Sequence, residues 1–243
     1  MKSFIEQESC LGIHERKERE KEQRREDILD AAQRVFFEKG LQSATMDEIA
    51  DTAELSKGTL YLYYSSKEDL YLAVMMRGML ILHEMFKARI STEPTTLQAI
   101  VGIMDTLGEF FHLHPKYFRM MNFLQNTQFH SQISDEMRES ISRVNQDIWN
   151  LAINLFQRGI EEGILASDLK AGETAVAIWS SATSLMMRID LEYDMWKNRM
   201  KIDLKEVLRI SNSLLLDAIL TPQAKVTYGA MFDQFHPRVG SIV

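Results

Sequence analysis

Between Ser56 and Lys67 the chain places two ammonium groups, Lys57 and Lys67, and three phenols, Tyr61, Tyr63 and Tyr64, with no carboxylate among them. Donors and positive charge without an intervening acid suit a polyanion, and the remaining residue types suit one that carries a readable edge. Lys57 can meet a phosphate or the O6/N7 edge of guanine. Gly58 lets backbone approach closely, and Thr59 offers a hydroxyl for a base edge and a methyl for that of thymine. Tyr61, Tyr63 and Lys67 fall where phosphates would be held, which sets register without reading sequence.

Other chemistry finds no comparable cluster. His83, His112, His114 and His130 come nearest to a metal set, but His112-x-His114 would separate two imidazoles by about 200° on a helix, a poor chelating arrangement. No HExxH, Walker loop or Gly-x-Ser-x-Gly occurs. The single cysteine, Cys10, cannot build a disulfide framework or a cysteine zinc site, and a reducing cytosol fits it. Neither an enzyme nor a resident cofactor is expected. The longest apolar runs fall far short of the roughly 20 residues that a membrane span needs. Glu6 and Glu8 interrupt Met1–Cys10, which therefore lacks a signal-peptide core, so the expected chain is soluble and intracellular.

The elements that would position Lys57 to Lys67 are helices. In 243 residues there are only 11 glycines and 4 prolines, against 15 methionines and 45% hydrophobic residues, so punctuation is scarce and long helices are expected. Ile28, Leu29, Ala32, Val35 and Phe36 share one helical face, and Gly40 follows as a C-cap. Thr45-Met-Asp-Glu48 has the form of a capping box and opens a short helix with Met46, Ile49, Ala50 and Ala53 on one side. Ser56-Lys57-Gly58 starts another, reaching Tyr63, in which Leu60 and Tyr64 turn inward. Ser66-Lys-Glu-Asp69 opens a long helix to about Ile90. Two short helices joined through Glu54-Leu55-Ser56 and packed on a longer one match a helix-turn-helix, whose second helix enters the major groove N-terminus first.

Residues 24–75, above all ILDAAQRVFFEKG (28–40) and ATMDEIADTAELSKGTLYLYYSSKEDL (44–70), resemble the N-terminal domain of TetR-family transcriptional regulators without a gap. The resemblance implies an all-α protein: an N-terminal three-helix helix-turn-helix domain and a larger C-terminal helical domain for ligand binding and dimerisation. It implies a repressor, usually a homodimer, that leaves its double-stranded DNA operator when a small molecule binds. The family's phosphate-contacting threonine falls on Thr45, its lysine-glycine-threonine tip on Lys57, Gly58 and Thr59, and its phosphate-binding tyrosine on Tyr61. Tyr63 stands where the family usually has histidine, and Tyr64 where it has phenylalanine. GTLYLYY also resembles a branch containing fatty-acyl sensors.

The expected division is a charged arm or helix extension over 1–23, the DNA-binding domain over 24–70, the ligand-binding and dimerisation domain over 71–220, and a tail over 221–243. His14 to Asp27 carries six basic and six acidic residues, with Glu15–Arg19 and Glu20–Arg24 at helical i,i+4 spacing, each pair worth about 0.2–0.5 kcal/mol in an isolated helix. Further helices read 97–113, 134–163, 171–188 and 204–220, with a break at His114-Pro115 and the segment RGIEEGILASDL (158–169) resembling the family's exit from its seventh helix. The last element opens with Asp203…Glu206 as a capping box, and Thr221-Pro222 stops it. The residues beyond yield no readable element.

Candidates for a four-helix dimer interface are Ala175, Ile178, Ala182 and Leu185 with Val207, Leu208, Leu214, Leu215 and Ala218. A ligand wall is expected from Met104, Phe111, Phe118, Met121, Trp149 and Trp179, with Gln125 and Asn154 as polar contacts, for a small apolar or aromatic molecule. Ordinary core is the more common role for each of these residue types. Control by a protein partner, or without any inducer, is the alternative.

Charge bounds all of this. The net charge is −7, and residues 14–72 hold ten basic against fourteen acidic side chains, so DNA binding must rest on a small local tip. Such a tip favours salt-sensitive, site-selective binding.

Overall fold

A computed structural model describes residues 2–123 and 133–235. Among the described residues there are ten helices and no strand: α1 (Lys2–Ser43), α2 (Met46–Thr52), α3 (Lys57–Tyr63), α4 (Lys67–Thr92), α5 (Thr96–Leu113), α6 (Pro115–Phe123), α7 (Asp135–Glu161), α8 (Ala171–Asn198), α9 (Leu204–Ile219) and α10 (Pro222–Phe235). None is long and apolar enough to cross a membrane. The chain forms two compact units, one from residues within 1–78 and 120–143, the other from residues within 79–119 and 144–243.

In the first unit, Ile28, Ala32 and Phe36 are buried on one face of α1, and the helix kinks at Gly40, whose φ of 71° ends the regular run as expected. Residues 15–27 are exposed on all sides, which makes the charged run a solvated helical extension. Its pairing differs from the expected one. Arg16 Nε donates to Glu20 at 2.9 Å, while Arg19 Nε reaches the Glu15 backbone carbonyl at 3.4 Å. Exposed rotamers choose between neighbouring turns at almost no cost, so spacing alone does not select the pair.

Ile49, Leu60, Leu70 and Val74 are fully enclosed in this unit, and the Phe36 and Tyr71 rings meet edge-on at 5.2 Å. Burial pushes the Tyr64 and Tyr71 phenols up to about 12, so both stay neutral. From α4, Arg77 pairs with Glu26 and, at 2.6 Å, with Asp30, clasping that helix to α1. The buried Asp69 carboxylate accepts from the Ser65 hydroxyl and, at 2.9 Å, from the backbone N–H of Ser134.

The capping box at α2 is complete: Thr45 Oγ1 accepts from the Glu48 N–H, and Glu48 accepts from the Thr45 N–H, both at 3.2 Å. At its other end, Leu55 N–H donates to Ala50 O at 2.9 Å and Glu54 N–H to Asp51 O at 3.1 Å, with Glu54 at φ 56°. That is a Schellman termination, but with glutamate in the left-handed position. In the second unit α7 ends the same way, with Gly163 at φ 68° and bonds Ile164 N–H to Gly159 O and Gly163 N–H to Ile160 O. The comparison isolates the strain: one turn has the residue without a Cβ, and the other does not.

The second unit buries Phe110, Phe118, Phe156, Leu82, Ile100 and Leu165. Two elements differ from the sequence reading. Helix α8 continues ten residues past Arg188, because Arg188 pairs with Glu192 at 2.8 Å and Glu192 also accepts from Trp196 Nε1 at 2.7 Å, so a polar stretch is held by i,i+4 contacts. Beyond Thr221 lies α10. Pro222 occupies its first position, where a missing N–H costs nothing, and Thr221 Oγ1 accepts from Ala224 N–H at 3.4 Å. Thr221-Pro222 is thus both the stop of α9 and the start of α10. Thr221 also ties the α9–α10 link to the end of α7, its hydroxyl donating to Gly163 O at 2.8 Å. At α9, Asp203 caps through the Lys205 N–H at 3.0 Å, while Glu206 turns to Arg209 instead of completing a box.

Replacing Glu54 by glycine should relieve the left-handed strain. The expected gain is about 1 kcal/mol in urea unfolding, the cost of a Cβ in that region less the entropy of an added glycine. A loss of stability would show that Glu54 is held there by a contact worth more than the strain.

Candidate nucleic-acid interface and ligand cavity

Helix α3 is seven residues long, and its orientation is set by two buried side chains. Leu60, on its inner side, is fully buried, and Tyr64, its C-cap, is 6% exposed. The opposite face is open: Tyr61 is 45% and Leu62 84% exposed, and Lys57 and Gly58 lie at the exposed N-terminal tip. Ser56 caps the helix, its Oγ accepting from the Thr59 N–H at 3.1 Å and lying 2.8 Å from Thr59 Oγ1. The Thr59 hydroxyl is therefore engaged in the cap, and its methyl is the freer group. Thr45 is exposed at the start of α2, where its hydroxyl accepts one bond and keeps its own O–H to donate. A Cβ placed on Gly58 would meet only Ser56 Oγ, at 3.9 Å, so nothing within the unit requires glycine there.

The lysines of this region are all engaged. Lys57 Nζ lies 2.6 Å from Asp47 Oδ1, the carboxylate of α2 that raises the lysine's pKa through that hydrogen bond. Lys39 Nζ lies 2.6 Å from Glu48, which lifts the lysine in the same way. Glu48 in turn is held below the usual carboxylate range by Lys39 and then by the Thr45 N–H. Lys67 donates to the Ala44 carbonyl at 2.9 Å, bridging the start of α4 to the turn before α2. Tyr63 is half-buried at the end of α3.

Two residues on this face escaped the sequence reading. Leu62 lies two residues from Leu60, about 200° around the helix, so the inward assignment of Leu60 already implied an outward leucine. Asp47 lies inside the capping-box sequence, and nothing in the spacing indicates that its carboxylate turns to α3.

Among the described residues no three His, Cys, Asp or Glu side chains converge as metal ligands. The second unit contains a cavity of about 380 Å³. Met104, Met186, Leu208 and Leu216 provide apolar wall, and Lys205, Arg209, Asn212 and Tyr228 are among its polar lining. Asn212 Oδ1 is buried without a hydrogen-bond partner among the described residues. A second, apolar void of about 30 Å³ lies among Phe86, Met104, Trp149 and Trp179. Of the ligand candidates, Met104 lines both spaces, and Trp149 and Trp179 line the small one with ring centroids 5.3 Å apart. Phe111 and Phe118 pack edge-on against each other at 4.9 Å. Met121 is half-buried in the first unit, Asn154 is exposed, and Gln125 lies outside the described residues.

Residues 28–74 match the family of bacterial regulatory proteins, tetR family. Over these residues the chain carries a TetR-family DNA-binding domain. It is a DNA-binding transcriptional regulator, not an enzyme. Its relatives include the HTH-type transcriptional activator FasR of Mycolicibacterium smegmatis, 34% identical over 101 residues, 42% of this chain and 46% of that protein. The fatty acid metabolism regulator protein of Bacillus subtilis is 25% identical over 192 residues, 77% of this chain and 90% of that one. The crystal structure of the transcriptional regulator FadR from Bacillus subtilis in complex with stearoyl-CoA shares the fold, with a TM-score of 0.61 at 20% identity over 78% of this chain and 96% of that one. Within the matched residues α2 and α3 form the helix-turn-helix.

Two substitutions separate binding from folding at the tip. Lys57→Ala should cost on the order of 1–3 kcal/mol of operator affinity in a gel shift; an unchanged affinity removes Lys57 from the site. Gly58→Ala should leave stability equal or up to about 1 kcal/mol higher, since alanine is the better helix former. It should nevertheless weaken operator binding, because the new methyl projects where DNA backbone would approach.

Proposed function

We propose that this protein is a homodimeric repressor of the cytoplasm that binds a near-palindromic operator and leaves it when a lipophilic small molecule binds. Residues 24–70 would read DNA and 71–220 would bind ligand and dimerise, with 1–23 and 221–243 as a helical arm and a C-terminal tail. Thr45, Lys57, Gly58, Thr59, Tyr61, Tyr63 and Lys67 are the proposed DNA contacts. The observation that carries the reading is α3 itself: anchored through Leu60 and Tyr64, it leaves Lys57, Gly58, Tyr61 and Leu62 facing outward.

Dimerisation is supported by a physical need and by exposed apolar surface. One recognition helix covers one half-site, whereas a two-fold pair covers two, spaced about 34–36 Å. Helices α8 and α9, which pack on each other, expose Val176, Leu191, Met195, Ile210 and Leu214. The expected interface changes in detail. Ala175, Ile178 and Ala182 are buried in the chain's own core, where they line the small void, so they are unavailable to a partner, whereas Leu214 is 66% exposed. Periodicity marks an apolar stripe without saying which neighbour covers it.

Release by a ligand is supported by the cavity of about 380 Å³, inside the range of small-molecule sites, and by its largely apolar wall. Similarity to a fatty acid metabolism regulator and to a FadR crystallised with stearoyl-CoA supports a long-chain acyl compound as the first probe.

Footprinting on the DNA upstream of the protein's own gene should protect a near-palindrome, and stearoyl-CoA should release it. The same ligand at a hundredfold over its Kd should stabilise the protein by about 2.7 kcal/mol in a thermal-shift assay. A monomeric mass at micromolar concentration, or stabilisation only by small, highly charged metabolites, would overturn the respective parts.

A further inference from the structure

The two lysines of the helix-turn-helix tip are held by different kinds of partner. Lys67 donates to a backbone carbonyl, that of Ala44, and so keeps its full charge. Lys57, the first residue of α3, lies 2.6 Å from the Asp47 carboxylate, in the first turn of α2. Glu48 cannot substitute for Asp47, because it is committed to Lys39 and to the Thr45 N–H. One helix end thus carries two carboxylates with separate tasks.

The difference matters because phosphate contacts and base contacts draw on different properties of an ammonium. Attraction to phosphate comes from net charge and the counterions it displaces, and it is blind to sequence. A base edge is read by directed hydrogen bonds. An ammonium paired with a carboxylate loses most of the first property and retains the second, since only one of its three N–H donors is used. The partner also restricts a long side chain that otherwise samples many rotamers.

We propose that Asp47 is a positioning residue for sequence readout: it holds Lys57 at the tip of α3 so that the two remaining N–H donors meet a guanine edge, and it keeps Lys57 off the phosphates of non-cognate DNA. The proposal rests on α3 being the helix that enters the major groove. Lys67, with no carboxylate partner in that bond, sets register on phosphate, and Lys57, ion-paired with Asp47, reads.

The test is selection from a pool of 30-bp duplexes with a randomised centre, using the full chain and its Asp47→Asn, Asp47→Ser, Lys57→Ala and Lys67→Ala variants. Affinities for the selected duplex and for a fluorescein-labelled random-sequence duplex follow by anisotropy. Asp47→Asn and Lys57→Ala should relax preference at the same base pair and leave the other positions sharp. Asp47→Asn should also bind the random duplex about two- to fivefold tighter, the range expected from freeing an exposed ion pair. Its salt slope should steepen by about 0.9, the contribution of one further neutralised phosphate. Lys67→Ala should keep every base preference and flatten the slope.

Asp47→Ser removes the carboxylate but keeps a short polar residue in the first turn of α2, and it should reproduce the relaxed base pair. Relaxation by Asp47→Asn alone marks a local folding defect and overturns the proposal. So does an Asp47→Asn variant that keeps all base preferences and tightens both duplexes equally, which makes Asp47 a general repulsive charge. Enrichment of no sequence by the unaltered chain is a separate outcome, which defeats the DNA-reading of α3 and the proposal with it.

Discussion

A seven-residue helix has no stability of its own in water, because the nucleation of a first turn is unfavourable and too few bonds follow it. Helix α3 exists because Leu60 is enclosed by the first unit and Tyr64, just past its end, is nearly so. Those two side chains decide which residues face outward: Lys57 and Gly58 at the tip, with Tyr61 and Leu62 behind them. The caps refine this placement, Ser56 at the start of α3 and the Glu54 turn before it, but neither would hold the helix without the buried pair. Arg77, clasping α4 to α1 through Glu26 and Asp30, stabilises the frame in which the pair is buried.

Electrostatics acts on that frame in a way that net charge conceals. The chain carries −7, and its first seventy residues are acid-rich, yet the family is one of DNA-binding regulators. The structure resolves the tension at the level of pairs. Two carboxylates in the first turn of α2 each take a lysine, Asp47 from α3 and Glu48 from α1, while also favouring the positive end of that helix. A domain arranged in this way has little unspecific attraction to spend, so affinity must come from fit.

The larger unit offers a contrast in how much a pattern reveals. Met104, Trp149 and Trp179 have the large, soft apolar side chains that suit a lipophilic guest, and they do surround a space, but one of only about 30 Å³. The larger cavity has Lys205, Arg209, Asn212 and Tyr228 in its wall, none of them marked by periodicity, and one of them lies on α10, a helix the sequence did not reveal. A cavity is the space that neighbouring elements fail to fill, so it depends on several helices at once. Likewise Ala175, Ile178 and Ala182 formed a plausible interface stripe and proved to be internal.

What was legible from the residues alone is whatever depends on near neighbours along the chain. The capping box at Thr45, the break at His114-Pro115, the left-handed Gly40 and the order Thr45, Lys57-Gly58-Thr59, Tyr61 operate within one or two helical turns, so spacing defines the helix-turn-helix and its outward tip. Tertiary structure decided everything that needs a distant partner. It turned Asp47 from a cap residue into the carboxylate on Lys57, and it gave Lys67 to the Ala44 carbonyl across 23 residues of chain. It also determined which apolar stripe became core, which stayed exposed, and where space was left. The physical reason is that local hydrogen-bond geometry is written in short intervals of sequence. Pairing and packing are settled only when several helices compete for the same side chains.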